Sequence, residues 1–250
     1  AGRKLPAVLQ RRRPNRGMEG LCATPSGKLV GLMQNALRNN VAGTAHSNGV
    51  NNRTPTVRLV VYNPADGTSQ QFIYLLTDPN TNSAAGLRLS EIAAISDTKF
   101  LVIERDDAFP SPTGIKRLYE IDITGATDVS DAGDRITGKL FRPAAGQPAE
   151  TLEKLTESLD TAPATAVLAG LVKEDDSGAE PVVPVAKTLR ADLIALLGNR
   201  YDHDKLEGLA VIASAGGSAT QVALVNDDDF GIAPGTVNYT LAPKSNSQGL

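Results

Sequence analysis

Glutamate residues recur at corresponding places in three short apolar segments of the chain. Glu19 lies in MEGLCAT, Glu91 in SEIAAIS and Glu207 in KLEGLAV. A carboxylate inside an apolar strand is costly unless a cation or a hydrogen-bond donor accompanies it. If the three segments are equivalent units of one fold, their carboxylates meet. Oxygen ligands of this kind suit Ca²⁺, or Mg²⁺ with retained waters, so the pattern predicts a metal site.

Further candidate oxygen ligands lie at the end of the second strand of each unit. The complete set of predicted metal ligands is Glu19, Glu91, Glu104, Glu207, Asn226 and Asp227. A second interpretation needs no metal, because a strand glutamate can also accept backbone N–H bonds from a neighbouring unit and fasten the two together. Arg105 beside Glu104, and Arg16 near Glu19, could likewise form structural ion pairs. Both interpretations are open at this point.

The chain has two histidines, and His203 is the better candidate for acid–base chemistry. His203 stands in YDHDKLEG and leads into the Glu207 strand. We predict His203 and Asp227 as catalytic residues, although a histidine between two aspartates is more often structural. An anionic substrate would also need cations, and Arg16, Arg105 and Lys205 are the predicted substrate-binding residues.

Established catalytic and binding templates are absent from the sequence. It contains no Gly-x-Ser-x-Gly elbow, no phosphate-binding glycine loop and no cysteine–histidine cluster of the kind that binds zinc. NDDDFG, starting at Asn226, begins like a calcium-binding EF loop. However, the positions that need Asp or Asn and Glu are Phe230 and Val237, so that interpretation fails.

Composition bounds the class of protein. The 250 residues suffice for one large domain, and the formal charge of −3 implies no strong attraction to nucleic acid. A single cysteine excludes an intrachain disulfide, and no apolar run approaches the roughly 20 residues that span a bilayer. The N-terminal segment is basic but has no apolar signal-peptide core.

Most of the chain reads as short strands between turns. TVRLVVYN (56–63) and QFIYLLT (71–77) are separated by an Asp-Gly turn and predict a hairpin. Further strands are predicted at 99–105, 116–123 and 221–227. The leucine spacing of 149–159 and 187–198 predicts two helices, which we interpret as one helical insertion over 149–198.

The three glutamate units are internal repeats. Each consists of a glutamate, a short strand, a polar turn and a second apolar strand, and the first two units are followed by an outer strand. Repeats of this kind are typical of propeller blades, whose innermost strands line a central channel. We therefore predict an all-β protein, with residues 1–250 forming one β-propeller domain or fragment of about three blades.

Four segments together carry a resemblance to a known family. RRPNRGMEGLCATPSGKLVGLMQ, SEIAAISDTKFLVIERD, GIKRLYEIDITGATDV and YDHDKLEGLAV…VNDDDFG resemble the bacterial phytase-like domain family, described as having esterase-like activity of phytase, from about Leu5 to Gly231. The resemblance implies a periplasmic or extracellular β-propeller. Family domains usually carry additional strands before the RRPNRG segment, so this chain looks like the C-terminal part of such a domain.

Two functions follow as hypotheses. The first is a metal-dependent hydrolase of phosphate or carboxylic esters, in which the metal polarises a small ester substrate and activates water. The second is a non-catalytic extracellular binding or assembly module. Because a closed propeller needs at least four blades, we also predict a partner for the open strand edges, either a second chain or an N-terminal half.

Overall fold

The computed structural model describes residues 5–38, 54–77, 86–198, 201, 203–213 and 219–227, and it consists mainly of antiparallel strands. The strands are β1 (Met18–Ala23), β2 (Leu29–Met33), β3 (Thr56–Tyr62), β4 (Ser69–Leu75), β5 (Arg88–Ala94), β6 (Lys99–Arg105), β7 (Lys116–Asp122), β8 (Phe141–Arg142), β9 (Val172–Lys173), β10 (Ala186–Asp192), β11 (Lys205–Ala213) and β12 (Ala219–Asp227). The helices are α1 (Leu152–Leu155), α2 (Thr161–Ala169) and α3 (Leu193–Leu197), and a 3₁₀ turn covers Ala7–Arg11. The all-β prediction is confirmed.

The strands form successive antiparallel sheets, and each glutamate unit starts one of them. The first sheet has the order β1-β2-β3-β4, the second β10-β7-β6-β5, and the third is the pair β11-β12. The short strands β8 and β9 pair separately. The predicted hairpin is confirmed, with Thr56 opposite Leu75 and Tyr62 opposite Ser69.

The sheets pack face to face through two apolar cores. Residues of the first sheet such as Leu59 and Tyr74 pack with Phe100 and Val102 of β6. The alternate residues of β6 face the other way, so Ile103 packs with Leu206 of β11 and other residues near the third sheet. Because side chains alternate along a strand, β6 is buried on both faces and separates the two cores.

The segment between β7 and β10 covers the remaining face of the first sheet. Leu152 of α1 and Leu168 of α2 pack with Ile73 and Leu75 of β4. A buried ion pair ties α1 to β3, with Arg58 Nε 2.7 Å from Glu153 Oε1. This part of the chain therefore covers that face of the first sheet.

The outer edge of β4 is also covered by the same chain. The backbone N–H of Val129 donates to the carbonyl of Gln71, and that of Val185 to the carbonyl of Ile73, each at 2.9 Å. These bonds protect an edge that would otherwise be open to association. A partner for other edges stays a prediction.

Two helix predictions need correction. Residues 187–198 do not form one helix, because Ala186–Asp192 is strand β10, paired with β7, and only Leu193–Leu197 is helical. Pairing with the free edge of β7 outweighs the modest helix propensity of this stretch. In 149–159 only Leu152–Leu155 is helical, and α2 begins after it. The predicted insertion over 149–198 thus includes a strand of the second sheet.

Candidate functional site

The three glutamates share a structural feature: each lies in a β-bulge. The pairing register of β1 shifts between Met18 and Gly20, around Glu19. It shifts between Leu206 and Gly208 in β11, around Glu207, and between Leu89 and Ile92 in β5, where Ser90 and Glu91 lie. A bulge leaves a residue out of the ladder and redirects its side chain. The repeated sequence pattern therefore places a glutamate in a bulge of the first strand of each unit, where the bulge redirects its side chain.

Strands β1 and β5 approach each other closely beside these bulges. A Cβ atom added to Gly20 would lie 2.8 Å from the backbone nitrogen of Ile92, so the glycine of EGL is required sterically. The carboxylate of Glu91 accepts N–H bonds from Ile92 at 2.9 Å and, across the gap, from Leu21 at 3.3 Å. The interpretation of a strand glutamate as a fastener between units is therefore confirmed for Glu91.

Arginine side chains gather beside the bulges, at the start of β5, the end of β6 and the turn before β1. We call this group the arginine centre, and it comprises Arg13, Arg16, Arg88 and Arg105 with the carboxylates of Glu19, Asp107 and Glu207. Arg88 and Arg105 are register partners on neighbouring strands. Like charges placed directly opposite each other are unfavourable, so this placement requires an anion between them.

Arg105 is buried and has a partner for each nitrogen of its guanidinium group. Its Nε donates to Ser90 Oγ at 2.8 Å, and its Nη1 donates to the Asp106 carbonyl at 3.3 Å. Asp107 also pairs with Nη1, and Glu207 pairs with Nη2. The charge of Arg105 is thus compensated in place by carboxylates of two separate elements.

Arg88 is the exception. It is 9% exposed, and Asp107 pairs with its Nη1. Its Nε is buried and has no hydrogen-bond partner among the described residues. Burial, followed by the neighbouring charges of Arg16, Arg105 and Arg13, lowers the pKa of Arg88 to about 10. A buried N–H donor that lacks a partner costs free energy, and an oxyanion at Nε would remove that cost.

Glu19 is the exposed carboxylate of the centre. Burial of its carboxyl group, together with the nearby charge of Glu207, raises the pKa of Glu19, and Arg105 and Arg16 partly oppose the shift. Within the described part of the chain, no hydrogen bond or ion pair holds Glu19. A carboxyl group that is accessible, near arginines and easily protonated is suited to proton transfer.

The structure brings several predicted site residues together and separates others. Arg16, Arg105, Glu19, Glu91 and Glu207 lie in or beside the centre. Glu104 lies elsewhere, because it points to the opposite face of β6, where Tyr74 Oη and Lys187 Nζ each lie 2.6 Å from its Oε2.

The remaining predicted residues lie at the ends of β11 and β12. Lys205 is the register partner of Asp227, and both are half-buried. Asn226 accepts a hydrogen bond from Tyr201 Oη at 2.9 Å. His203 is half-buried in the segment before β11. The metal, catalytic and substrate roles of these four residues stay predictions.

The described residues do not form a ready metal site. No three histidine, cysteine, aspartate or glutamate side chains in the described ranges are placed to hold one ion. Glu91 is engaged with backbone N–H groups, and Glu207 with Arg105. Two of the predicted ligands are therefore already engaged within the chain, and the Ca²⁺ or Mg²⁺ centre stays a prediction.

Sequence reasoning missed Arg13, Arg88 and Asp107. One signal was present: Arg16 precedes Glu19 by three residues, as RGME, and Arg88 precedes Glu91 by three residues, as RLSE. Because both arginines occupy the same position in their units, three residues before the glutamate, the repeat predicts that they lie close together. Asp107 had no such signal, because its role depends on the pairing of β5 with β6.

A surface cleft of about 620 Å³ lies on the segment between β7 and β10. Two of its cations are paired with neighbouring acids: Arg135 Nη1 lies 2.9 Å from Glu174, and Lys139 pairs with Glu180. Exposed pairs of this kind contribute little and leave no group in need of a ligand. The arginine centre is therefore the stronger candidate site. No helix in the described ranges is long and apolar enough to cross a membrane.

A family model described as Phytase-like, with esterase-like activity of phytase, matches residues 2–230. The match covers most of the chain, so the chain belongs to this phytase-like family. No curated protein matches the chain, and no solved structure does.

Proposed function

We propose that this member of the phytase-like family binds an ester carrying an oxyanion, foremost a phosphate ester, at the arginine centre and hydrolyses it. The buried Nε of Arg88, which has no partner among the described residues, is the observation that carries the proposal. Guanidinium groups match the oxygen geometry of phosphate and carboxylate, and they stay charged at neutral pH. The family description supports hydrolysis as the reaction class.

The arrangement supplies the two requirements of phosphate-ester hydrolysis. Arg88 and its neighbours would hold the non-bridging oxygens and stabilise the charge that these carry in the transition state. Water attacks phosphorus and releases a proton to solvent, the bond from phosphorus to the ester oxygen breaks, and the leaving alcohol takes up a proton. Glu19 is the accessible carboxyl group with a raised pKa, so it would provide that proton as a general acid.

The propeller architecture is part of the proposal. The first strand of each sheet supports a propeller. Strands β1 and β11 both contact β5, as the innermost strands of neighbouring blades would. Stacking of the second sheet between the other two supports it as well. The periplasmic or extracellular location implied by the resemblance belongs to the same proposal. Ca²⁺ or Mg²⁺ stays a prediction that calcium titration of chelator-treated protein tests, and no step above depends on it.

The experiment compares turnover of aryl phosphate, phytate and aryl acetate by the wild type and three variants. We expect phosphate-ester hydrolysis that Arg88→Gln and Glu19→Gln both reduce by at least about tenfold, the effect of losing one charge-assisted contact. Arg135→Gln is the matched control, because Arg135 is exposed and lies in the separate cleft. Hydrolysis that is equal in all four proteins would contradict the proposed site.

Phosphate binding without turnover of any ester would favour the second hypothesis, a non-catalytic binding or assembly module. The same guanidinium groups support that function, because binding an oxyanion requires no proton transfer. The alternative therefore shares the site and differs in whether Glu19 is needed. If binding survives Glu19→Gln and no substrate turns over, the binding module is the better description.

A further inference from the structure

The carboxylate of Asp107 occupies the position between the two paired arginines. Asp107 follows β6 by two residues, and its Oδ2 pairs with Arg88 Nη1 while its Oδ1 pairs with Arg105 Nη1. Each oxygen therefore serves a different guanidinium group. A phosphate or carboxylate ligand that bridged the two arginines would use the same arrangement.

The neighbouring aspartate shows what a fixed carboxylate looks like in this loop. Asp106 is 1% exposed and accepts N–H bonds from Ile115 at 3.0 Å and from Ala108 at 3.3 Å. Lys116 Nζ also pairs with Asp106. These contacts hold the start of the loop, so Asp106 cannot leave without breaking local structure.

Asp107 has none of those anchors. Its side chain is 31% exposed, and within the described ranges its partners are the guanidinium groups of Arg88 and Arg105. Because Asp106 fixes the backbone beside it, a rotation of the Asp107 side chain alone would free both arginines. The surrounding structure would stay in place during that rotation.

We propose that Asp107 is a displaceable resident anion, which a bound ligand replaces on Arg88 and Arg105, and that it thereby selects ligands by charge. A carboxylate tethered to the protein competes at a high effective concentration. A free monoanionic carboxylate offers the arginines the same charge and does not displace it. A phosphoryl dianion offers a second charge and a further oxygen for the Nε of Arg88, which has no partner in the described part of the chain.

This inference rests on the proposed function, because it assigns the same centre to anion binding. It adds that the Asp107 carboxylate competes with bound anions and so lowers the affinity of the centre for them. Removing the Asp107 carboxylate should therefore strengthen anion binding, although it removes a residue of the site. A residue that merely positioned the arginines would have the opposite effect.

Calorimetric titration with inorganic phosphate and with acetate tests the inference on the wild type and on Asp107→Asn. We expect Asp107→Asn to bind phosphate about tenfold more tightly and to gain measurable acetate binding. Asp107→Glu keeps the competing charge and should stay close to the wild type. Asp175→Asn removes one exposed acidic charge from the 173–180 loop and controls for net charge. Asp107→Ser is the second variant if the asparagine variant does not fold.

Each outcome separates the inference from the proposed function. If Asp107→Asn binds phosphate equally or more weakly while Arg88→Gln abolishes binding, the anion site is real and Asp107 only positions it, which overturns the inference. If neither the wild type nor Asp107→Asn binds phosphate, the proposed function and the inference both fail. An equal gain in Asp175→Asn would reduce the effect to net charge and would also overturn the inference.

Discussion

Glu104 and Arg105 are neighbours at the end of β6, yet they lie in two different kinds of charged cluster. Glu104 is fully buried and faces the first sheet, where it accepts from Tyr74 Oη at 2.6 Å and from the Thr77 N–H at 3.0 Å. Arg105 points to the other face and belongs to the arginine centre. One strand therefore separates a closed charge network from one with an unused donor.

The closed cluster is complete around Lys187 of β10. The ammonium group donates to Glu104 at 2.6 Å, to Thr77 Oγ1 at 2.8 Å and to the Leu75 carbonyl at 3.0 Å, which uses its three donors. It also lies 4.3 Å and 4.0 Å from the ring centres of Tyr74 and Tyr119. Burial lowers the pKa of Lys187, and Glu104 opposes this shift. Nothing in this network requires a ligand.

The arginine centre differs because one of its buried donors, the Nε of Arg88, has no partner among the described residues. The pKa of Glu19, one of its carboxylates, is also raised by burial and by the charge of Glu207. The two clusters therefore differ in whether every buried donor has a partner. The Lys187–Glu104 cluster, which holds sheets together, is complete, whereas the arginine centre keeps a donor for a ligand. Burial and charge alone do not make the distinction, since both clusters have them.

The largest expected effect comes from opening the closed cluster. Lys187→Met leaves Glu104 buried without its cation, and we expect the free energy of unfolding to fall by about 3–5 kcal/mol in urea titrations. Phosphate binding at the arginine centre should be unchanged. Lys187→Met combined with Glu104→Gln should lose less than the sum of the single variants. A single-variant loss under about 1 kcal/mol would show that this network does not hold the sheets together.

Arg88 and Arg105 give the second test, because every guanidinium nitrogen of Arg105 has a partner, whereas the Nε of Arg88 has none among the described residues. Arg105→Gln leaves the partners of a fully hydrogen-bonded guanidinium group without their cation. We therefore expect the free energy of unfolding to fall by about 2–4 kcal/mol. Arg88→Gln removes the Nε donor, which has no partner among the described residues, and one of several like charges. It also removes the contact of Nη1 with Asp107, but Asp107 keeps its pairing with Arg105. Its unfolding free energy should stay within about 1 kcal/mol of the wild type or rise. Equal destabilisation by both would mean that Arg88 is as well compensated as Arg105.

Glu91 tests whether the fastener role is separate from binding. Glu91→Ala removes the acceptor for the Leu21 and Ile92 N–H groups, and we expect a loss of about 1 kcal/mol in unfolding free energy. Glu91→Gln keeps a carbonyl oxygen as acceptor and should be nearly neutral. A large loss of phosphate affinity in Glu91→Gln would place Glu91 in the binding site instead.

The sequence was informative where the structure is local. A short run of apolar and β-branched residues predicted the strand at 99–105 with the bounds that β6 has, and the three glutamate units located the first strand of each sheet. Turn residues located the β3–β4 hairpin. In these segments the pattern of one strand already contains the information.

The remainder depends on contacts between distant residues. β10 carries a helix-like leucine spacing and becomes a strand only because the edge of β7 is available. Arg16 and Arg88 are close in the fold but 72 residues apart in sequence, and Asp107 meets Arg88 through the register of β5 on β6. The glutamates were predicted together, but the cations that accompany them belong to other strands. Carboxylates alone therefore suggested a metal.

The smallest expected effect concerns Glu19 and its dependence on pH. The pKa of Glu19 is raised in the folded chain, so the folded state holds its proton to higher pH than the unfolded state does. The free energy of unfolding should therefore fall as pH rises from the ordinary glutamate pKa through the raised one. Because Glu19 is exposed, solvent screening limits the effect to a few tenths of a kcal/mol.

Urea titrations of the wild type and Glu19→Gln between pH 4 and pH 8 measure this difference. The two proteins should be equally stable at the acidic end, where the wild-type carboxyl group is protonated, and Glu19→Gln should be slightly more stable at neutral pH. Asp175→Asn should show the opposite sign, because hydrogen bonds from Ser177 lower the pKa of Asp175. Phosphate should enlarge the Glu19 effect if it displaces Asp107, since a dianion beside Glu19 disfavours the ionised carboxylate further. A Glu19 effect that phosphate leaves unchanged would place the bound anion away from Glu19 and remove this residue from the proposed proton transfer.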